Sequence, residues 1–244
     1  LFAVREAPFV GQLALDSQEY DRWARAIAAG DWLGSAPFFQ APLYPYLVAL
    51  VYRFLAAAPV AVYLLQIAVA VLGCWALVRA GEALAGPRAA GATGLLFAFY
   101  TPFWFYDVQL MKESFAVSAV CLLLFLLLKA RSSDRLSLWF LVGLVAAFLA
   151  LLRENMLLVV PFLLLLTWRE RTGKEWMLAL RRCGLLLLGL SLPLLVVASR
   201  NASLGGGFLP TTSQGGVNFW IGNNPAADGT YRPLVHGKQI PAYE

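Results

Sequence analysis

The sequence predicts an all-α, polytopic membrane protein with about six transmembrane helices and further helices lying along one face of the bilayer. Three observations predict it. Of 244 residues, 60% are hydrophobic and only 14% charged, against ~45–50% and ~25% in soluble domains. A soluble fold of this length cannot hide that much apolar surface, whereas a bilayer can. The apolar residues form successive long runs, and Trp and Tyr gather at their ends, where an amphipathic ring gains from the headgroup interface. Finally, the cations fall between the runs and form no single basic patch, so the net charge of +5 does not signal a nucleic-acid partner.

Other chemistry is excluded early. Cys74, Cys121 and Cys183 lie in or beside apolar runs and read as small buried hydrophobes. A single histidine, His236, leaves no histidine-based metal centre or triad. The chain opens at Leu1 without a leader pattern and closes at Glu244 in a polar segment. The expectation is a piece of a longer protein, lacking a preceding span and a C-terminal remainder.

Residues 1–59 read as a loop on one face of the membrane with an amphipathic and an interfacial helix. Asp16-Ser17-Gln18-Glu19 has an acid at the cap position and Glu three residues later, which predicts a helix to about Ala29. Tyr20, Trp23, Ala24 and Ile27 share one of its faces, and Gly30 ends it. From Pro42 to Ala58 the chain is apolar but short, interrupted by Pro45 and Arg53. Leu43, Leu47, Leu50 and Phe54 recur at helical spacing, which predicts an interfacial or re-entrant helix rather than a span.

Residues 60–199 read as the transmembrane domain. Its spans are 60–78, 89–104, 114–128, 136–152, 156–168 and 183–199, the last kinked at Pro193. Residues 200–244 read as the loop-rich start of a soluble region. It contains a triple glycine at 205–207, turn chemistry at Gly222-Asn223-Asn224-Pro225, and the sequon-like Asn201-Ala202-Ser203. With six crossings, the loops opposite Asp16 carry ten cations and four acids, and the Asp16 side carries nine cations and ten acids. The positive-inside rule puts the first set in the cytoplasm, so Asp16 faces outward.

Ionisable groups collect at the outer ends of the runs: Asp16, Glu19, Asp21, Asp107, Lys112, Glu113, Arg153, Glu154 and Arg200. Charge beside hydrocarbon is costly and marks a candidate functional site. Plainer readings exist for each. Asp16 can be a helix cap, Lys112 and Glu113 an interfacial pair, and Arg153 a snorkelling cation. Tyr44, Tyr46 and Trp104 can be interface anchors. Lys129, Arg131 and the cations between Arg169 and Arg182 read as topology determinants. In combination, however, the outer rim offers a carboxylate base, cations for a departing phosphate and apolar space for a lipid tail. The rival class is a transporter or lipid flippase, which favours ionisable groups near the midplane. Here the span interiors are nearly free of charge. A scaffold for an outer domain is a third reading.

Three motifs, Asp16-Ser17-Gln18-Glu19-Tyr20, Gly30-Asp31-Trp32 and Gln40-Ala41-Pro42-Leu43-Tyr44-Pro45-Tyr46, resemble those of the GT-C membrane glycosyltransferases. The similarity is to the branch holding protein O-mannosyltransferases and lipid A aminoarabinose transferases. The phrases FFQAPLYPYL, LMKES, LRENMLL and GGVNFWIGNNPAADGTY resemble bacterial family 39 glycosyltransferases, often with a tetratricopeptide tail. The resemblance implies a polyprenyl-phosphate sugar donor, a protein, lipid or glycan acceptor, and inverting transfer. It also implies a bacterial inner-membrane location with a periplasmic active face. Asp16 takes the position of the acidic catalytic residue in the first outer loop. The aminoarabinose branch carries a donor-binding lysine where this chain has Phe39-Gln40-Ala41-Pro42, so that contact does not carry over. Lys112, Arg153 and Arg200 are the substitutes expected to hold phosphate. Glu113, Glu19, Tyr20 and Tyr44 are candidates for substrate or metal contact, and a divalent cation shared by Glu113 and Asp16 is the cofactor the acids allow.

Overall fold

The computed structural model describes residues 13–169, 176–225 and 227, all helix, turn or loop, with no strand among them. Ten elements follow in order: α1 (Asp16–Ala28), α2 (Leu43–Phe54), α3 (Pro59–Phe99), α4 (Thr101–Asp107), α5 (Glu113–Arg131), α6 (Ser137–Leu152), a 3₁₀ turn (Glu154–Leu158), α7 (Val159–Arg169), α8 (Trp176–Ser203) and α9 (Gln214–Asn223). Part of the basic stretch between Arg169 and Arg182, and the tail from 228, lie outside the described residues.

α3 is two helical arms joined by a reversal. Gly86 has φ of 83°, a left-handed conformation open to glycine, and Pro87 starts the second arm. A Cβ on Gly81 would lie 2.7 Å from Thr93 Oγ1, and one on Gly94 would lie 3.1 Å from a Val78 methyl. Sixteen residues of straight helix would separate Val78 from Gly94 by about 24 Å, so the arms 59–85 and 87–99 must run back along each other. The expected span 89–104 instead stops at Phe99, and α4 restarts with Pro102 in its first turn. The other four expected spans coincide with α5, α6, the 3₁₀ turn plus α7, and α8.

Pro59–Phe99, Glu113–Arg131 and Trp176–Ser203 are long and apolar enough to cross a membrane, and less than two-fifths of the apolar window of each is buried. The rest of those surfaces points outward as leucine, valine and aromatic side chains, such as Leu72, Trp75, Leu96 and Val196. That is the pattern of a lipid-facing surface. α6 is the inner helix, with Trp139, Val142, Ala147, Leu149 and Ala150 fully or almost fully buried.

α6 and α8 meet backbone to backbone. A Cβ on Gly143 would sit 1.9 Å from the Leu186 carbonyl oxygen, and one on Gly189 would sit 2.1 Å from the Phe140 carbonyl oxygen. The two glycines therefore let each helix rest in the other's groove, the small-residue contact that lipid-embedded helices use in place of hydrophobic burial.

α1 forms as expected and buries Tyr20, Ala24 and Ile27, but Asp16 is not its cap. Leu15 occupies that position, and the Ser17 hydroxyl bonds back to Ala14. Gly30 closes the helix with φ of 120°. α2 is the short helix expected, and its leucine repeat is not its buried face. Tyr44, Val48, Ala49, Val51 and Tyr52 turn inward, whereas Leu50 and Phe54 are exposed. The tail expected to be loop-rich contains α9, with Val217, Trp220 and Ile221 at helical spacing.

Asn201 does not present a glycosylation sequon. It is fully buried, its Oδ1 accepting from Phe38 N–H (3.0 Å) and its Nδ2 donating to the carbonyls of Leu209 (2.9 Å) and Thr211 (3.2 Å).

The seam gives a stability prediction. Gly143→Val or Gly189→Val should destabilise the protein by ~2 kcal/mol or more, because backbone atoms cannot move aside. Gly184→Ala, whose added methyl meets nothing within 4 Å among the described residues, should leave the melting temperature unchanged. Thermal melts in detergent would check this; equal melting temperatures for all three variants would refute the seam.

Candidate active site at one end of the helical bundle

Three separate elements deliver charge to one rim. α1 carries Asp16 in its first turn, with an exposed carboxylate. Lys112 precedes α5 and Glu113 opens it. Arg153 follows α6, and Glu154 begins the 3₁₀ turn. The placement suits the helix dipoles: Glu113 sits at a helix N-terminus and Arg153 at a helix C-terminus.

Glu113 and Arg153, 40 residues apart, form an ion pair through Glu113 Oε1. The pair is half-sheltered, with the Glu113 side chain 14% and the Arg153 side chain 39% exposed. Gln214, at the start of α9, donates through Nε2 to Glu154 Oε1 at 2.6 Å. Burial pushes the Lys112 ammonium below the usual lysine range, and Glu154 and Glu113 partly oppose it. Burial pushes the Tyr20 phenol up, and Asp16 and Glu113 add to that push. Lys112 and Tyr20 thus feel the same four groups, Asp16, Glu113, Arg153 and Glu154.

Tyr20 is 1% exposed, and among the described residues its hydroxyl finds no hydrogen-bonding partner; nor does the second oxygen of Glu113. Buried polar atoms without partners are rare and call for a physical account. Here both belong to the charged cluster.

The remaining candidates stand elsewhere. Glu19 pairs with Arg22 at 2.6 Å on the outer side of α1. Tyr44 is fully buried; its ring meets Tyr20 edge-on at 5.1 Å, and its hydroxyl donates to Gln66 Oε1 at 2.7 Å. It is a support of the site, one layer behind it. Arg200 clamps the 31–38 loop. Its guanidinium lies 3.7 Å from the Phe38 ring centroid, donates to the Leu33 carbonyl at 2.9 Å, and reaches Asn201 Oδ1 at 3.0 Å.

Sequence reasoning singled out Asp107 but not its setting. It is buried with Ser114, whose hydroxyl bonds its Oδ1, and burial pushes its carboxyl up. Among the described residues, no three His, Cys, Asp or Glu side chains gather as a metal site, and Glu113 Oε1 is committed to Arg153. An apolar groove of about 450 Å³ runs along α8, lined by Leu187, Leu190, Leu194, Phe208 and Pro210.

Chemically, the rim combines an exposed carboxylate able to take a proton, two cations able to hold an anion, and a neutral phenol able to donate. No curated protein and no solved structure matches the chain. A family model described as dolichyl-phosphate-mannose-protein mannosyltransferase matches residues 39–197. That stretch contains Tyr44, Lys112, Glu113 and Arg153; Asp16 precedes it and Arg200 follows it. The match spans well over half of the chain and agrees with its apolar helices, so the protein belongs to the dolichyl-phosphate-mannose-protein mannosyltransferase family, membrane glycosyltransferases of the GT-C type.

Proposed function

We propose that the protein transfers a sugar from a polyprenyl-phosphate carrier to an acceptor hydroxyl at the extracytoplasmic face of the membrane. The observation that carries this reading is that Asp16, Glu113, Arg153 and Glu154, from three separate elements, lie close enough to one another to act on both Tyr20 and Lys112. Charge at the rim rather than in the span interiors favours transfer chemistry over a transporter.

In the proposed step the acceptor oxygen attacks the anomeric carbon and gives its proton to the Asp16 carboxylate. The bond from the anomeric carbon to phosphate oxygen breaks, and the lipid phosphate leaves with the bonding electrons. Lys112 and Arg153 hold the charge that develops there. Attack and departure on opposite faces of the sugar invert its configuration. The groove along α8 receives the first isoprenoid units of the carrier. Arg200, the third cation, positions the 31–38 loop beneath α1. The excess of Lys and Arg in the opposite loops supports the extracytoplasmic assignment. The fit to a bacterial inner membrane, and a protein, lipid or glycan acceptor, follow from the resemblance stated above.

Three outcomes are expected. The intact protein in proteoliposomes, offered a panel of polyprenyl-phosphate sugars, should turn over, and Asp16→Asn should lower kcat by about 10²-fold or more with little change in donor KM. Equal turnover at equal folded yield would remove Asp16 as the base. Lys112→Ala and Arg153→Ala should each weaken binding of a polyprenyl phosphate by about tenfold, a charge-assisted contact being lost. If neither Lys112→Ala nor Arg153→Ala changed donor affinity, the phosphate assignment would fail.

The third outcome concerns pH. The depressed lysine is charged below its pKa and neutral above it, so donor affinity should be full on the acid side and fall at a pH below the usual lysine range. Lys112→Arg should carry that affinity to higher pH. A binding curve flat through the alkaline range in the wild-type protein would contradict Lys112 as a phosphate ligand.

A further inference from the structure

Gln66 lies in the first arm of α3, within an apolar run, and is 0% exposed. A primary amide in such surroundings is costly unless its donors and acceptor are used. Its Oε1 accepts the hydroxyl of Tyr44 at 2.7 Å. Its Nε2 donates towards the carbonyls of Gln109 (2.8 Å), Asp107 (3.0 Å) and Tyr106 (3.2 Å). Chemistry fixes this orientation, because carbonyl oxygens only accept.

Those three carbonyls belong to the turn that ends α4; two of them also accept backbone N–H groups of the turn, Tyr106 from Gln109 (3.3 Å) and Gln109 from Met111 (2.9 Å). Gln66 adds a side-chain donor from a neighbouring helix, gathering all three carbonyls on one amide. The turn runs directly into Lys112 and Glu113. On the other side of the amide, the Tyr44 ring packs edge-on against Tyr20 of α1 at 5.1 Å and against Phe115 of α5 at 5.9 Å. One buried amide therefore ties the segment bearing Lys112 to the helix bearing Asp16.

We infer that Gln66 is a positioning residue for sugar transfer. It fixes the 106–109 turn and, through Tyr44, α1, so that Lys112 and Asp16 face the same donor. The inference rests on the function proposed above. A purely structural role would move stability alone; a positioning role must also move donor affinity.

The test uses the intact protein in lipid nanodiscs with three variants. Gln66→Met keeps the length and loses every hydrogen bond, Gln66→Asn keeps the amide but shortens its reach, and Tyr44→Phe removes a single hydroxyl. Hydrogen exchange over residues 106–113 and titration with a polyprenyl phosphate are read together. Gln66→Met should accelerate exchange in that segment while α6 and α8 stay protected, and should weaken phosphate binding by about tenfold or more, the loss of preorganisation expected when support of a binding group is removed. Gln66→Asn and Tyr44→Phe should give smaller changes in the same direction, and Tyr44→Phe carries the test if Gln66→Met does not fold.

Faster exchange with unchanged affinity would make Gln66 structural and overturn the inference, as would unchanged exchange. A wild-type protein that binds no polyprenyl phosphate would overturn the proposed function and this inference together. The exchange readout needs no donor, so the two failures are distinguishable.

Discussion

The close approach of α6 and α8 is the constraint on which the rest of the structure depends. Lipid tails are as apolar as leucine, so no hydrophobic gain holds two spanning helices together. What remains is dispersion at short range and the matching of backbone surfaces, and Gly143 and Gly189 bring that range down to carbonyl contact. The seam sets the height and rotation of both helices. At the end of α6 it fixes Arg153, the partner of Glu113. At the end of α8 it fixes Arg200 and Asn201, which gather the 33–38 and 209–211 segments through their hydrogen bonds. The rim is thus built outward from a contact that contains no charge.

The rim then has to hold ionised groups at the edge of hydrocarbon. Three features make this tolerable. Helix ends supply favourable dipoles to Glu113 and Arg153. The ion pair is partly open to water, so neither partner bears the full cost of desolvation. Buried tyrosines line the floor and stay neutral, because burial pushes the phenols of Tyr20 and Tyr44 up. Among the described residues the Tyr20 hydroxyl and one Glu113 oxygen have no hydrogen-bonding partner, so the cluster keeps some hydrogen-bonding capacity uncommitted.

Much of this was legible in the sequence, and what was missed shares a physical cause. Long apolar runs gave the apolar helices, and the charges at their ends pointed to Asp16, Lys112, Glu113 and Arg153, because a bilayer imposes length and sidedness on any chain that crosses it. Apolar periodicity did not give the orientation of α2. The repeat Leu43, Leu47, Leu50, Phe54 predicted a helix without saying which way it faces: beside lipid a leucine is equally content facing outward, and Leu50 and Phe54 do so. Inward faces here are marked by small, polar and hydroxylated residues instead, as at Gly143, Gly189, Gln66 and Tyr44. The same logic explains Asn201, which matches a sequon pattern in the sequence but is buried, its amide serving as a loop clamp.

The site also divides along the chain in an informative way. The residues proposed to hold phosphate lie inside the stretch that matches the family, on or beside spanning helices; the proposed base precedes that stretch, on a helix that does not span. Anion binding tolerates small displacements, because charge attraction falls off slowly with distance. Proton transfer does not, since the base must come within hydrogen-bond reach of the acceptor. The segment with the stricter geometric demand is therefore the one with less intrinsic support from the membrane. α1 is held instead by specific contacts: the Tyr52 hydroxyl on Asp21, Arg53 on the Ala28 carbonyl at the helix end, Trp23 against Phe38, and Tyr20 against Tyr44. In a fold held together chiefly by apolar packing, these directional contacts would give α1 the precision that the proposed proton transfer requires.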